Sequence, residues 1–134
     1  MIKAGDTYTH KVTYTQQQVI EFAEASGDRN PIHLDAEFAA TTPFGRPIVH
    51  GFLAAAVFSK VFGMLFPGAG TIYLSQQMKF LAPVFTGQEY TAEFEVTEVD
   101  TVKHNGLVRT VLRDQNGQEC IVGEAKLKHK TQFV

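Results

Sequence analysis

The stretch from Gly51 to about Met64 is apolar all the way round, with Phe52, Leu53, Ala54, Ala55, Ala56, Val57, Phe58, Val61 and Phe62 leaving no broad polar face. A helix of that kind is stable in water only when other elements enclose most of its sides. It is too short to span a bilayer and carries Lys60 in its middle, so no membrane association is expected. The rest of the chain must supply a wrapper. Four runs near residues 70–82, 88–100, 103–114 and 118–129 have strand periodicity, clearest where Tyr90, Ala92, Phe94 and Val96 alternate with Thr91, Glu93, Glu95 and Thr97. Asn105-Gly106 and Asn116-Gly117 are tight-turn dipeptides, which makes the last three runs consecutive antiparallel strands. Tyr8, His10, Val12 and Tyr14 mark a further strand near the N-terminus. The expectation is an α+β fold in which a five-stranded antiparallel sheet wraps around one central helix, with an unrelated α+β sandwich as the alternative.

A chain of 134 residues, 44% hydrophobic, is sized for one core, so residues 1–134 are expected to form a single domain. The net charge of -2 and the scatter of Lys and Arg leave no basic stripe able to neutralise several phosphates, which argues against a nucleic-acid partner. Cys120 is the only cysteine, so there is no intramolecular disulfide and no thiolate metal cluster. The opening residues MIKAGDTYTH lack the apolar core of a signal peptide, and a cytoplasmic location is expected.

Thr15 with Gln18 three residues later is a capping-box signature, and the apolar positions Val19, Phe22 and Ala23, flanked by Ile20, form the stripe of an amphipathic helix that Gly27 ends. Residues 28–50 read as irregular because Pro31, Pro43, Gly45 and Pro47 interrupt them, with one helical turn begun by Asp35 as N-cap. A long ordered irregular segment often carries function. Singly its residues are ordinary: Asp28 after a helix-ending Gly is a turn former, Asn30-Pro31 a turn dipeptide, and His33 a surface or satisfied core residue. Together, an acid and an imidazole five residues apart in a Pro-containing loop can be aimed at one small molecule. Imidazole suits proton transfer near neutral pH, and a carboxylate can take a proton from water or hold the ring in a useful tautomer. A metal bound by Asp28, His33, Asp35 and His50 is a weaker alternative, since no tight helical spacing such as HExxH is present. His50-Gly51 immediately precedes the apolar helix, whose first-turn N–H groups have no intrahelical partner and can stabilise a developing negative charge. Gly51 allows close approach there, or else close packing against a strand, while His50 is expected simply to hydrogen-bond the helix N-terminus.

The segments FAEASGDRNPIHLD at 22–35, TTPFGRPIVHGFL at 41–53 and MKFLAPVFTGQEY at 78–90 resemble the MaoC-like, R-specific enoyl-CoA hydratases, with Asp, Asn, Pro and His in order at 28, 30, 31 and 33. The resemblance covers most of the chain and implies the hot-dog fold. It further implies that Asp28 and His33 hold the catalytic water, that the Gly51 amide polarises the thioester carbonyl, and that Asn30 orients the loop or a catalytic side chain. Ser59 and Phe62, on the central helix, correspond to the acyl-binding region, although Ser59 equally suits a hydroxyl bonded to a backbone carbonyl. The reaction implied is reversible addition of water to a trans-2-enoyl-CoA, giving an (R)-3-hydroxyacyl-CoA for fatty-acid metabolism or polyester precursors. It needs no cofactor, coenzyme A being part of the substrate, and no metal. A homodimer is implied as well. Two rivals are an acyl-CoA thioesterase of the same fold and a non-catalytic acyl-thioester-binding subunit; retention of both Asp28 and His33 favours hydration over either.

Overall fold

The computed structural model describes residues 1–134. In chain order the elements are β1 (Thr7–Thr13), α1 (Gln16–Ser26), α2 (Pro31–Leu34), α3 (Ala36–Ala40), α4 (Gly51–Met64), β2 (Ile72–Phe80), β3 (Glu89–Asp100), β4 (Asn105–Arg113) and β5 (Glu119–Lys128). The five strands form one sheet in the order β1-β3-β4-β5-β2, and every neighbouring pair is antiparallel. The sheet wraps around α4, which is the hot-dog arrangement. Tyr90, Ala92, Phe94 and Val96, the inward half of the β3 alternation, are all buried and join Ala54, Val57, Phe58, Val61 and Phe62 of α4 in one core. A buried Tyr14 hydroxyl donates to the Ala54 carbonyl at 2.7 Å, tying the exit of β1 to the central helix.

Local signals act as their chemistry requires. Thr15 Oγ1 accepts from the Gln18 amide at 3.1 Å, and the Gln18 side chain accepts from the Thr15 amide at 3.0 Å, a reciprocal cap for α1. Gly27 ends that helix in the left-handed region at φ 80°, where a side chain would be strained.

Three expectations are corrected. Asn105-Gly106 is not a turn but the start of β4; the turn is residues 101–104, with His104 at φ 59°. Gly106 is there for space, since a Cβ would lie 2.6 Å from the Phe133 ring. Residues 28–50 hold two short helices rather than one, because Asn30-Pro31 reads as a turn dipeptide yet is an N-cap followed by proline at the first helical position. Finally, α4 is left open along one side rather than enclosed all round. Phe52 is 69% exposed, and Ala56, Ser59 and Lys60 share its open side, since a single curled sheet cannot surround a helix.

Candidate active site

The loop after α1 and the loop before α4 meet at the N-terminus of α4. Asp28 begins the first loop. Its Oδ1 accepts from the Asn30 amide at 3.2 Å, so the turn-forming habit of the residue is realised, while its backbone amide donates to Ser26 Oγ at 3.1 Å. Asn30 Oδ1 accepts from the Ile32 amide at 3.1 Å and caps α2, the short helix that carries His33. Asn30 thus fixes the start of the helix that bears His33, and it does not line the cavity described below. Asp35, considered above as a metal ligand, is spent on capping α3, accepting from the amides of Glu37 and Phe38 at 3.0 and 3.2 Å.

His33 is buried, and its Nδ1 is 2.8 Å from the Ile48 carbonyl oxygen. A carbonyl only accepts, so Nδ1 carries a hydrogen and the neutral ring has its lone pair on Nε2. Burial pushes the His33 imidazole below its ordinary value of 6.5; the Ile48 hydrogen bond and the Asp28 charge oppose that shift, and His50 adds to it. His50, which sequence reasoning treated as a local capping residue, makes no cap to α4. It is 2% exposed, its Nε2–H donates to the Asp28 backbone carbonyl at 3.0 Å, and its ring stacks on that of His33 with centroids 3.8 Å apart. One heteroatom from each of Asp28, His33 and His50 lies within 4.8 Å of the others. That proximity meets the minimum for a three-ligand metal site. It equally suits a water, since two hydrogen bonds of about 2.8 Å span acceptors up to about 5 Å apart.

A cavity of about 480 Å³ opens beside this cluster. Asp28, His50 and Gly51 are on its wall, and the remainder is chiefly apolar, including Phe22, Ile48, Val49, Phe80 and Val84. His33 is not on the wall; it reaches the cluster through its contact with His50 and its proximity to Asp28. Gly51 is the first residue of α4, and a Cβ there would meet the Phe80 ring of β2 at 2.7 Å, so close packing against a strand is one reason for the glycine. The Val49 amide donates to the Val84 carbonyl at 2.8 Å and fixes how the chain enters the helix.

Two residues expected to bind the acyl group, Ser59 and Phe62, lie away from the cavity that holds Asp28. Ser59 is exposed, eight residues and roughly 12 Å along α4 from its N-terminus. Phe62 is 1% exposed and packs edge-on against Tyr73 and Phe94 at 5.2 Å each, as part of the core. Within this chain neither lines the cavity that holds Asp28. The difference arises because helical spacing places a residue along an axis but does not say which side the sheet covers.

Comparison with known proteins places these features in context. Residues 3–117 match the family model described as MaoC like domain. Over 111 residues, 83% of this chain and 83% of the relative, the sequence is 49% identical to an (R)-specific enoyl-CoA hydratase of Aeromonas caviae. It is 39% identical to a 3-hydroxybutyryl-CoA dehydratase of Methylorubrum extorquens, covering 95% of this chain and 80% of that protein. Among solved structures, an (R)-hydratase from A. caviae involved in PHA biosynthesis superposes with a TM-score of 0.91 at 43% identity, covering 96% of this chain and 97% of that one.

Proposed function

The chain belongs to the MaoC-like domain family, and on that premise we infer that it is an (R)-specific enoyl-CoA hydratase, adding water reversibly to a trans-2-enoyl-CoA to give an (R)-3-hydroxyacyl-CoA. The observation that carries the reading is the proximity of the Asp28 carboxyl and the His33 ring, next to a helix N-terminus in an apolar cavity.

Each group has one task. Conjugation with the thioester makes C3 of the enoyl chain electrophilic. The Gly51 N–H, at the positive end of the α4 dipole, draws charge onto the carbonyl oxygen and makes C3 more so. A water that donates one hydrogen to Asp28 and the other to Nε2 of His33 keeps an oxygen lone pair free for C3. As the C3–O bond forms, one of the two acceptors takes a proton, and the pair returns a proton to C2. Both atoms then add from one face of the double bond. Coenzyme A is the handle of the substrate, and the step draws on no metal or separate cofactor.

Product analysis with a short trans-2-enoyl-CoA is the direct test. Loss of the enoyl absorbance with coenzyme A still attached, and an R configuration at C3, is the expected result. Release of free thiol would instead identify a thioesterase, and binding without turnover a non-catalytic subunit. The pH profile supplies a second check. Neutral His33 is one of the two groups that accept a hydrogen bond from the water, so kcat/KM falls as pH drops through its pKa, and burial puts that acid limb below 6.5. A limb at or above 6.5 contradicts the assignment.

The enzyme works as a homodimer. Supporting this, β2 is an edge strand whose Ile72, Leu74 and Phe80 are 53%, 46% and 50% exposed, and it adjoins the open Phe52 side of α4. An apolar unpaired edge of this kind pairs with another strand or aggregates. Light scattering should give twice the chain mass, and Leu74→Lys, which puts a charge on the edge, should shift the protein toward monomer. A wild-type monomer with full activity would rule out the dimer.

A further inference from the structure

His50 has no place in the hydration chemistry above, yet it is the most buried titratable group beside the reacting cluster, at 2% exposure. Three contacts define it. Its Nε2–H donates to the Asp28 backbone carbonyl at 3.0 Å, its ring lies on the His33 ring at 3.8 Å with planes 30° apart, and Phe22 packs against it at 4.8 Å. Its other nitrogen, Nδ1, is buried and has no hydrogen-bond partner. A buried unpartnered acceptor costs about 1 to 3 kcal/mol, and an apolar ring in the same space would avoid that cost. A residue that served only to fill the space or cap α4 would not need the imidazole, and no cap bond exists.

We propose that His50 is a positioning residue that aligns both proton-handling groups at once, holding the Asp28 loop by its backbone and backing the face of the His33 imidazole. The inference rests on the hydratase reading. Its physical sense lies in the connectivity. Asp28 is exposed and its side chain has only the local turn bond to Asn30, so the backbone tie to His50 is what fixes the Asp28 end of the loop against the entrance of α4. His33 is fixed at one edge by Ile48, and the stacked His50 ring restrains its tilt. The groups facing His33 are Asp28, His50 and the Ile48 carbonyl, while Gln16 from α1 reaches only its backbone carbonyl, donating at 3.0 Å. Among them His50 is the one that works with burial to lower the His33 pKa. Because His50 is also followed directly by Gly51, one side chain relates the water site to the helix end where the carbonyl is held.

Two variants separate the two contacts. His50→Gln retains an amide donor near the Nε2 position and removes the ring; His50→Phe retains a ring against His33 and removes the donor. Both are measured with trans-2-butenoyl-CoA for kcat, KM and the pH profile, alongside thermal unfolding. Misplacement of a catalytic group by about 1 Å can cost about 10²-fold. The expected result is a fall in kcat of at least about tenfold in each folded variant with KM changed less than about threefold. In the Gln variant the acid limb moves to higher pH, because much of the packing that buries the His33 ring, the chief cause of its lowered pKa, is gone. Kcat within about twofold of wild type in both variants, or an unmoved acid limb in the Gln variant, overturns the role. Activity lost only in proportion to the folded fraction also overturns it, by showing His50 to be merely structural. A wild-type protein inactive on this substrate sinks the hydratase reading and this inference with it; an active wild type with unaffected variants sinks this inference alone.

Discussion

Asp28→Asn is expected to lower kcat for hydration of a short trans-2-enoyl-CoA by at least about 10²-fold without lowering the thermal transition. The substitution is informative because Asp28 does two things. Its Oδ1 closes the turn onto the Asn30 amide, and its carboxyl faces the cavity beside His33. Asparagine keeps a side-chain carbonyl for the turn and removes only the proton acceptor, whereas alanine would remove both and leave the cause ambiguous. His33→Gln is the companion variant, eliminating the imidazole whose Nδ1–H is fixed on Ile48, and a loss of similar size is expected. Near-normal turnover in both variants would end the assignment of the pair.

At Gly51 the expected effect depends on the replacement. Gly51→Ala keeps the backbone N–H but introduces a Cβ that meets Phe80 at 2.7 Å, so the Phe80 ring must move and the cavity wall with it. Gly51→Pro makes the same steric demand and also deletes the N–H. Proline is tolerated at the first helical position, and the extended backbone of His50, at φ -53° and ψ 136°, already suits a residue before proline. The proline variant should therefore fold, and the difference between the two variants isolates the hydrogen bond to the thioester oxygen. Losing an oxyanion donor costs about 10² to 10³ in kcat, or about 2.7 to 4 kcal/mol of barrier. Equal kcat in the alanine and proline variants would show that the Gly51 amide does not hold the carbonyl.

Much of the architecture is legible in local sequence because the signals are local. The Thr15–Gln18 box, the Gly27 stop, the Asp35 cap and the alternation along β3 each depend on residues within a few positions of one another. The misreadings have a common cause, which is that one residue type serves two purposes. Asn-Gly at 105–106 is turn chemistry, but here the glycine makes room for Phe133, a residue far away in sequence. Asn-Pro at 30–31 fits a turn and also a helix start, and only the hydrogen bond to Ile32 decides. Asp28, His33 and Gly51 are suggested by spacing and resemblance, and the fold brings the first and last to one cavity wall. His50 is harder to see. Histidine is not among the preferred helix caps, which is the one hint that its place before Gly51 has another reason. Its stacking on a residue 17 positions earlier follows from loop packing that no periodicity encodes.

Three hydrogen bonds fasten the loop at 28–33 to the segment at 48–50: His33 Nδ1 to the Ile48 carbonyl, the Ile48 amide to the Ile32 carbonyl, and His50 Nε2 to the Asp28 carbonyl. Much of the intervening loop is exposed, so polar lacing rather than apolar burial holds it in place. Such a unit opens cooperatively and at lower free energy than a buried sheet. In native-state hydrogen exchange the amides of His33 and Ile48 should share one opening free energy, smaller than that of the central β3 and β4 amides. Denaturant should accordingly extinguish turnover while the sheet is still intact, so that the protein loses its chemistry before it loses its shape.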